Sequence, residues 1–363
     1  MFVLVKPLLH NRKRQERLNK VINNAVKKQI KEEPLVVIST AEELSEAGIK
    51  GEKIIFAVCL DENGTNLEYY RMLRVLRSNK SFLEGATGVI VVDGSSELYT
   101  KNVAKQLAFA ANMCGCSFPG KPLVEATGSL YNFTTLSRLM ELSLEDTYMV
   151  QVEKLVHKLI KFNYPLQAYK EEGRKKEVLM VHAGSRKTSN SLCLWEMVKS
   201  KFGDNCNVTE ISLRNGKLMD CRGCQYEDCL HYGERGSCFY GGIIVEQVYP
   251  AMLKCDALVI ICPNYNDSVG ANILAFINRL TAIFRCNDFS NKEIFAVVVS
   301  GYSGGDIVAE QILNSMTFNK NMILPPKFAI IETANDAGSI LEVENIRERA
   351  TDFAGKISDN NID

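Results

Sequence analysis

Val178-Leu179-Met180-Val181-His182-Ala183-Gly184-Ser185-Arg186-Lys187-Thr188-Ser189-Asn190-Ser191 is the stretch that decides the fold. Residues 178–182 form a short, mostly apolar run with the length of a buried strand. A polar loop follows, and Leu192 to Lys199 opens a helix. The same grammar recurs downstream. Val208–Leu213, Ala257–Cys262, Ile294–Ser300 and Phe328–Glu332 read as further strands. Helical patterns over Ile273–Phe284, Ile307–Met316 and Val343–Lys356 separate or follow them. Strands alternating with helices predict βαβ units and a parallel sheet covered on both faces.

Upstream, Phe2–Val5, Leu35–Ile38, Ile54–Leu60, Gly88–Val92 and Pro122–Ala126 are apolar runs of strand length. Helical spacing joins them at Leu18–Ile30, Leu67–Leu76 and Asn102–Met113, and a helix runs from Glu145 to about Lys161. The predicted fold class is α/β. Residues 176–363 form a flavodoxin-like, doubly wound, five-stranded parallel sheet, and a second α/β domain precedes it over residues 1–165. Residues 166–175, charged and containing Gly173, are read as the linker. Gly88 to Gly128 is loosely like a strand–helix–strand unit of the second half, although the halves do not align as repeats.

The length of 363 residues suits two domains. Lys plus Arg and Asp plus Glu are 43 each, a balance that argues against a nucleic-acid partner. The basic stretch Arg12–Lys31 lacks interleaved aromatics and reads as a solvated helix face. No apolar run approaches membrane-spanning length. The N-terminus is apolar first and charged second, the reverse of a secretory signal, so a cytoplasmic location is expected. No histidine pairs with an Asp and a Ser or Cys in the manner of a hydrolase triad.

In an open α/β sheet, ligands bind beyond the carboxyl ends of the strands. After the first strand of the second half, Ser185, Arg186, Lys187, Thr188, Ser189, Asn190 and Ser191 offer hydroxyls, an amide and two cations at a helix N-terminus. Free N–H groups and the helix dipole favour a phosphate there. The glycines of a Walker loop or a G-x-G-x-x-G fingerprint are missing, so a monophosphate is expected. After the third strand come Pro263, Asn264, Tyr265 and Asn266, and after the fourth Ser300, Gly301, Tyr302, Gly304 and Gly305. Both loops are placed to flank a flat ring. Asp93–Glu97 ends a strand in the first half, but it is acidic, and no cofactor site is expected there.

Residues Lys176–Lys356 resemble the NADPH-dependent FMN reductase-like family of flavodoxin-like proteins. The resemblance is carried by Gly184–Ser191, by Cys262-Pro263-Asn264-Tyr265 and by Phe276-Ile277-Asn278-Arg279-Leu280. The usual residue between Ser185 and Arg186 is missing, and Asn278 stands where Asp is more usual. The resemblance implies bound FMN, NAD(P)H as electron donor, flavin-dependent oxidoreductase activity, and homo-oligomeric assembly. The partners it implies are small-molecule or protein electron donors and acceptors.

Nine of the 12 cysteines lie between Cys193 and Cys286. Cys221-x2-Cys224-x4-Cys229-x8-Cys238 could hold a [4Fe–4S] cluster or zinc, or remain free thiols in a reducing compartment. This half also resembles the iron–sulfur flavoproteins, which carry a more compact cysteine motif in the same loop. That resemblance implies an electron carrier as the alternative function. Cys114, Cys116, Cys255 and Cys262 read as small buried hydrophobes.

Overall fold

The structure is a computed structural model that describes residues 1–9, 15–30, 33–166, 172–185, 187–214 and 218–359. It divides into two compact units, Met1–Tyr164 and Pro165–Asp363. Part of the stretch read as a linker, residues 167–171, lies outside the described residues.

The first unit carries β1 (Phe2–Val5), α1 (Glu16–Gln29), β2 (Leu35–Ile38), α2 (Ala41–Glu46), β3 (Lys53–Cys59), α3 (Leu67–Ser78), β4 (Thr87–Asp93), α4 (Thr100–Met113), β5 (Leu123–Ala126), α5 (Thr134–Met140) and α6 (Leu144–Lys161). Its sheet is wholly parallel, in the order β2-β1-β3-β4-β5. Every residue of β4 is buried, as expected of a central strand covered on both faces. Leu18, Val21, Ile22 and Ala25 of α1 pack with Val152, Leu155, Val156 and Leu159 of α6 in one core.

The second unit carries β6 (Lys176–His182), α7 (Asn190–Lys199), β7 (Cys206–Ser212), α8 (Tyr226–Gly233), α9 (Tyr249–Lys254), β8 (Ala257–Pro263), α10 (Ala271–Arg279), α11 (Thr281–Phe284), β9 (Glu293–Ser300), α12 (Gly305–Leu313), β10 (Ala329–Thr333) and α13 (Ile346–Ser358). Its parallel sheet runs β7-β6-β8-β9-β10. Counted from each unit's own first strand, both orders are second, first, third, fourth, fifth. The halves therefore share a topology, beyond the loose likeness of Gly88–Gly128. β9 is buried throughout, whereas β7 alternates as an edge strand does. On one face Trp195 and Val198 of α7 pack with Phe353 and Ala354 of α13, and Phe353 meets Phe295 edge-on at 5.9 Å.

Two predicted helices differ in form. Ile273–Phe284 is two helices, α10 and α11, separated at Leu280. Ile307–Met316 is α12 followed by a π-helical turn over Asn314–Phe318.

At the amino ends of the strands, Lys176 bonds Asp359 at 2.7 Å and also pairs with Glu293. All three side chains are almost fully buried. Burial alone would lower the Lys176 pKa, but the two carboxylates outweigh it and hold the ammonium charged. The triad fastens the end of α13 to β6 and β9.

Candidate functional site

β6, β8, β9 and β10 deliver their following loops to one cavity of about 490 Å3. This volume is within the usual range for a cofactor-sized ligand. From the first loop Ser185, Thr188, Ser189, Asn190 and Ser191 line it; from the second, Pro263, Asn264, Tyr265 and Asn266. Gly301 and Tyr302 come from the third. Ser303, within the expected third loop, also lines the cavity; the sequence expectation missed Asp267, Val299, Ala334 and Asn335. Asn335 follows the fifth strand, so the rule that selected the other loops applied to it equally.

The first loop turns on itself, with Ser189 N–H donating to Ser185 O at 3.0 Å. Ser189 then caps α7, its Oγ accepting from Leu192 N–H at 3.3 Å. Asn190 has a different task from the phosphate contact expected of it. Its Nδ2 donates to Ala334 O and Asp336 O at 3.1 and 2.8 Å, and its Oδ1 accepts from Gly338 N–H at 2.9 Å. Asn190 thus ties the fifth loop to the first. Lys187 is exposed and does not line the cavity, and Arg186 lies outside the described residues.

In the second loop, Asn264 Nδ2 donates to Ser303 O at 2.7 Å and to Asp267 Oδ1 at 3.1 Å. Those bonds join the second and third loops. Gly304 and Gly305 were expected beside the ring but do not line the cavity; Gly304 lets these loops close, whereas a Cβ at Gly305 would stand 2.6 Å from Ile331 Cγ2. Gly304 sits at φ +80°, and a Cβ there would stand 1.9 Å from Asp267 Oδ1. Ser300 is buried at the strand end and does not line the cavity. Tyr265 and Tyr302 are 64% and 82% exposed, so both rings border the opening.

Ser191 Oγ and Asn264 Oδ1 are buried polar atoms without a hydrogen-bond partner among the described residues, and both residues line the cavity. Unsatisfied atoms of this kind call for an explanation, and a polar ligand supplies one. The donor set fits a phosphorylated ligand: hydroxyls and helix N–H groups at one end, and peptide edges and aromatic rings at the other.

The four cysteines of the second unit's long loop line a separate cavity of about 470 Å3 with Arg222, Arg279 and Arg285. Burial raises the Cys229 pKa, with Cys221 and Cys238 reinforcing the rise and Arg285 opposing it. The expectation of a metal ligand set is not met by this arrangement. Among the described residues, no group of three or more His, Cys, Asp or Glu side chains is arranged to hold a metal ion. Cys255 and Cys262 are buried as expected, with pKa values pushed up by burial to about 12 and about 11.

At the carboxyl ends of β4 and β5 in the first unit, Arg17 fills the space. Its Nη2 donates to Asp93 Oδ1 at 2.7 Å, to Gly94 O at 3.0 Å and to Thr127 O at 3.1 Å. Its Nε adds a bond to Asp93 Oδ2 at 3.0 Å.

The second unit is thus a flavodoxin-like α/β domain with a built cavity at the carboxyl edge of its sheet. The profile of the NADPH-dependent FMN reductase family matches residues 177–336, within the second unit. The chain is a flavin-dependent oxidoreductase. Among solved structures, RosB with bound 8-demethyl-8-formylriboflavin-5'-phosphate is 13% identical, covering 51% of this chain and 78% of that one at a TM-score of 0.41. An azoreductase from Bacillus anthracis strain Sterne is 16% identical, with coverages of 50% and 98% and a TM-score of 0.38. An FMN-dependent NADH-azoreductase from Bacillus anthracis strain Ames Ancestor, in complex with FMN, is 11% identical, with coverages of 50% and 100% and a TM-score of 0.34. No curated protein matches the chain. No helix among the described residues is long and apolar enough to cross a membrane.

Proposed function

We propose that the chain binds FMN in the cavity at the carboxyl ends of β6, β8 and β9 and uses it to carry electrons from NAD(P)H to a small-molecule acceptor. The observation that carries this reading is the meeting, in one cavity, of a hydroxyl-rich helix N-terminus with the Pro263–Asn266 and Gly301–Ser303 loops. Bound FMN would supply the redox chemistry, accepting a hydride and passing its electrons on. The chain supplies position. Ser185, Thr188, Ser189 and the first amides of α7 hold the phosphate, with Ser191 Oγ behind them, and Arg186 and Lys187 contribute charge from the same loop. Pro263 to Asn266 and Gly301 to Ser303 hold the ring edge. Tyr265 and Tyr302, exposed at the opening, border the face a nicotinamide would approach.

The test is steady-state oxidation of NADPH and NADH by the full chain reconstituted with FMN. Turnover that depends on added FMN is expected. FMN binding without oxidation of either nicotinamide would overturn the NAD(P)H link.

A further inference from the structure

The loop after β8 contains two successive residues in the left-handed region, Asn266 (φ 54°) and Asp267 (φ 52°). Such a pair is uncommon outside glycine, and Asn and Asp are the side chains that tolerate it best. Three further contacts fix Asp267. Gln311 Nε2 donates to its carbonyl at 3.2 Å, Asn264 Nδ2 donates to its Oδ1 at 3.1 Å, and Gly304 leaves room for that oxygen. Asp267 lines the 490 Å3 cavity, with its carboxylate held against Asn264, another lining residue. Among the described residues, no Lys, Arg or His lines that cavity, and Asp267 forms no ion pair.

We infer that Asp267 sets the reduction potential of the bound flavin, making the reduced cofactor a stronger electron donor. The inference rests on the FMN reading of this cavity and assigns a task to one residue within it. When a hydride passes from NAD(P)H to oxidised FMN, the donor's C–H bond breaks and an N–H bond forms on the flavin. The flavin thereby gains one unit of negative charge, and the nicotinamide becomes cationic. A fixed carboxylate in the same cavity repels that added charge but interacts little with the oxidised ring. It therefore weakens binding of the reduced form relative to the oxidised form, which lowers the potential. Part of the effect is screened, because Asp267 borders the open mouth of the cavity.

The test compares the full chain with Asp267→Asn. Asparagine keeps an acceptor for Asn264 and tolerates the backbone. Dissociation constants are measured for oxidised FMN and, under anaerobic conditions, for FMN reduced with dithionite. Asp267→Asn is expected to bind oxidised FMN within about twofold of the parent and reduced FMN five- to tenfold more tightly. That corresponds to a midpoint about 20 to 30 mV more positive for a two-electron couple. Asp267→Gly, free of backbone strain at this φ, is expected to shift the same way and serves if the asparagine variant does not fold. Asp306→Asn, which removes a carboxylate outside the cavity wall, is expected to leave the ratio unchanged. An unchanged ratio in the Asp267 variants, or an equal shift in Asp306→Asn, overturns the inference. Failure of the parent chain to bind oxidised FMN overturns instead the FMN reading beneath it.

Discussion

Gly304 shows how little room the site allows. Its φ of +80° is costly for any L side chain, and a Cβ would meet the Asp267 carboxylate. Gly304→Ala is expected to push the Tyr302 loop away from Asn264 and to weaken FMN binding at least tenfold, as read by equilibrium titration. Its effect on global stability should be small, because the loop lies outside the core. Ser189 has two tasks, capping α7 and lining the cavity. Ser189→Ala is expected to cost about 1 kcal/mol of stability in denaturant melts, the usual size of a lost N-cap. The thiols should separate by environment. Cys221, Cys224 and Cys286 are exposed, whereas Cys255 and Cys262 are buried with raised pKa values. Iodoacetamide at pH 8, followed by mass mapping, should label the first three and spare the last two in the folded chain.

Among the elements, the strands were legible and the connections were less so. Gly88–Val92, Ala257–Cys262 and Ile294–Ser300 are continuous apolar runs because helices cover both faces of the central strands, and the sequence records that directly. Breaks such as Leu280 and the π turn at Asn314–Phe318 leave the apolar pattern almost intact, so periodicity does not reveal them. The task of Arg17 depends on Asp93, 76 positions away, and no local pattern contains it. Asn190 was legible as part of the loop that lines the cavity but not as the tie to residues 334–338, for the same reason. The buried triad at the amino ends of β6 and β9 is another long-range feature. Lys176→Met leaves Glu293 and Asp359 buried without their cation and is expected to cost roughly 3 to 5 kcal/mol in denaturant unfolding. At the start of β8, burial would raise the Asp256 pKa. The bonds from Arg174 and from Glu177 N–H outweigh it and hold the carboxyl below its ordinary range. A lowered folded-state pKa gives stability that is complete above the unfolded value of about 3.9 and lost as pH falls through the folded value. Asp256→Asn should therefore reduce stability at pH 7 and flatten the acid limb of the stability–pH curve.

At the scale of the whole molecule, two units share one strand order but differ at the carboxyl edge of the sheet. In the second, the edge opens into a cavity bearing unsatisfied polar atoms; in the first, Arg17 occupies space at the ends of β4 and β5. The shared order was not recoverable from the sequence, because the loops that give the second half its character have no counterpart in Asp93–Glu97. If the loops and not the topology decide binding, a chain with two sheets of this kind holds one flavin. Trp195, the sole tryptophan, is buried in α7, the helix that follows the Ser185–Ser189 loop, and serves as the optical probe. Titrating FMN into the cofactor-free full chain while following Trp195 emission is the most direct test. The expected result is quenching that saturates at one FMN per chain and is weakened at least tenfold in Gly304→Ala. Binding that leaves Trp195 emission unchanged, or that is indifferent to Gly304→Ala, would contradict the account.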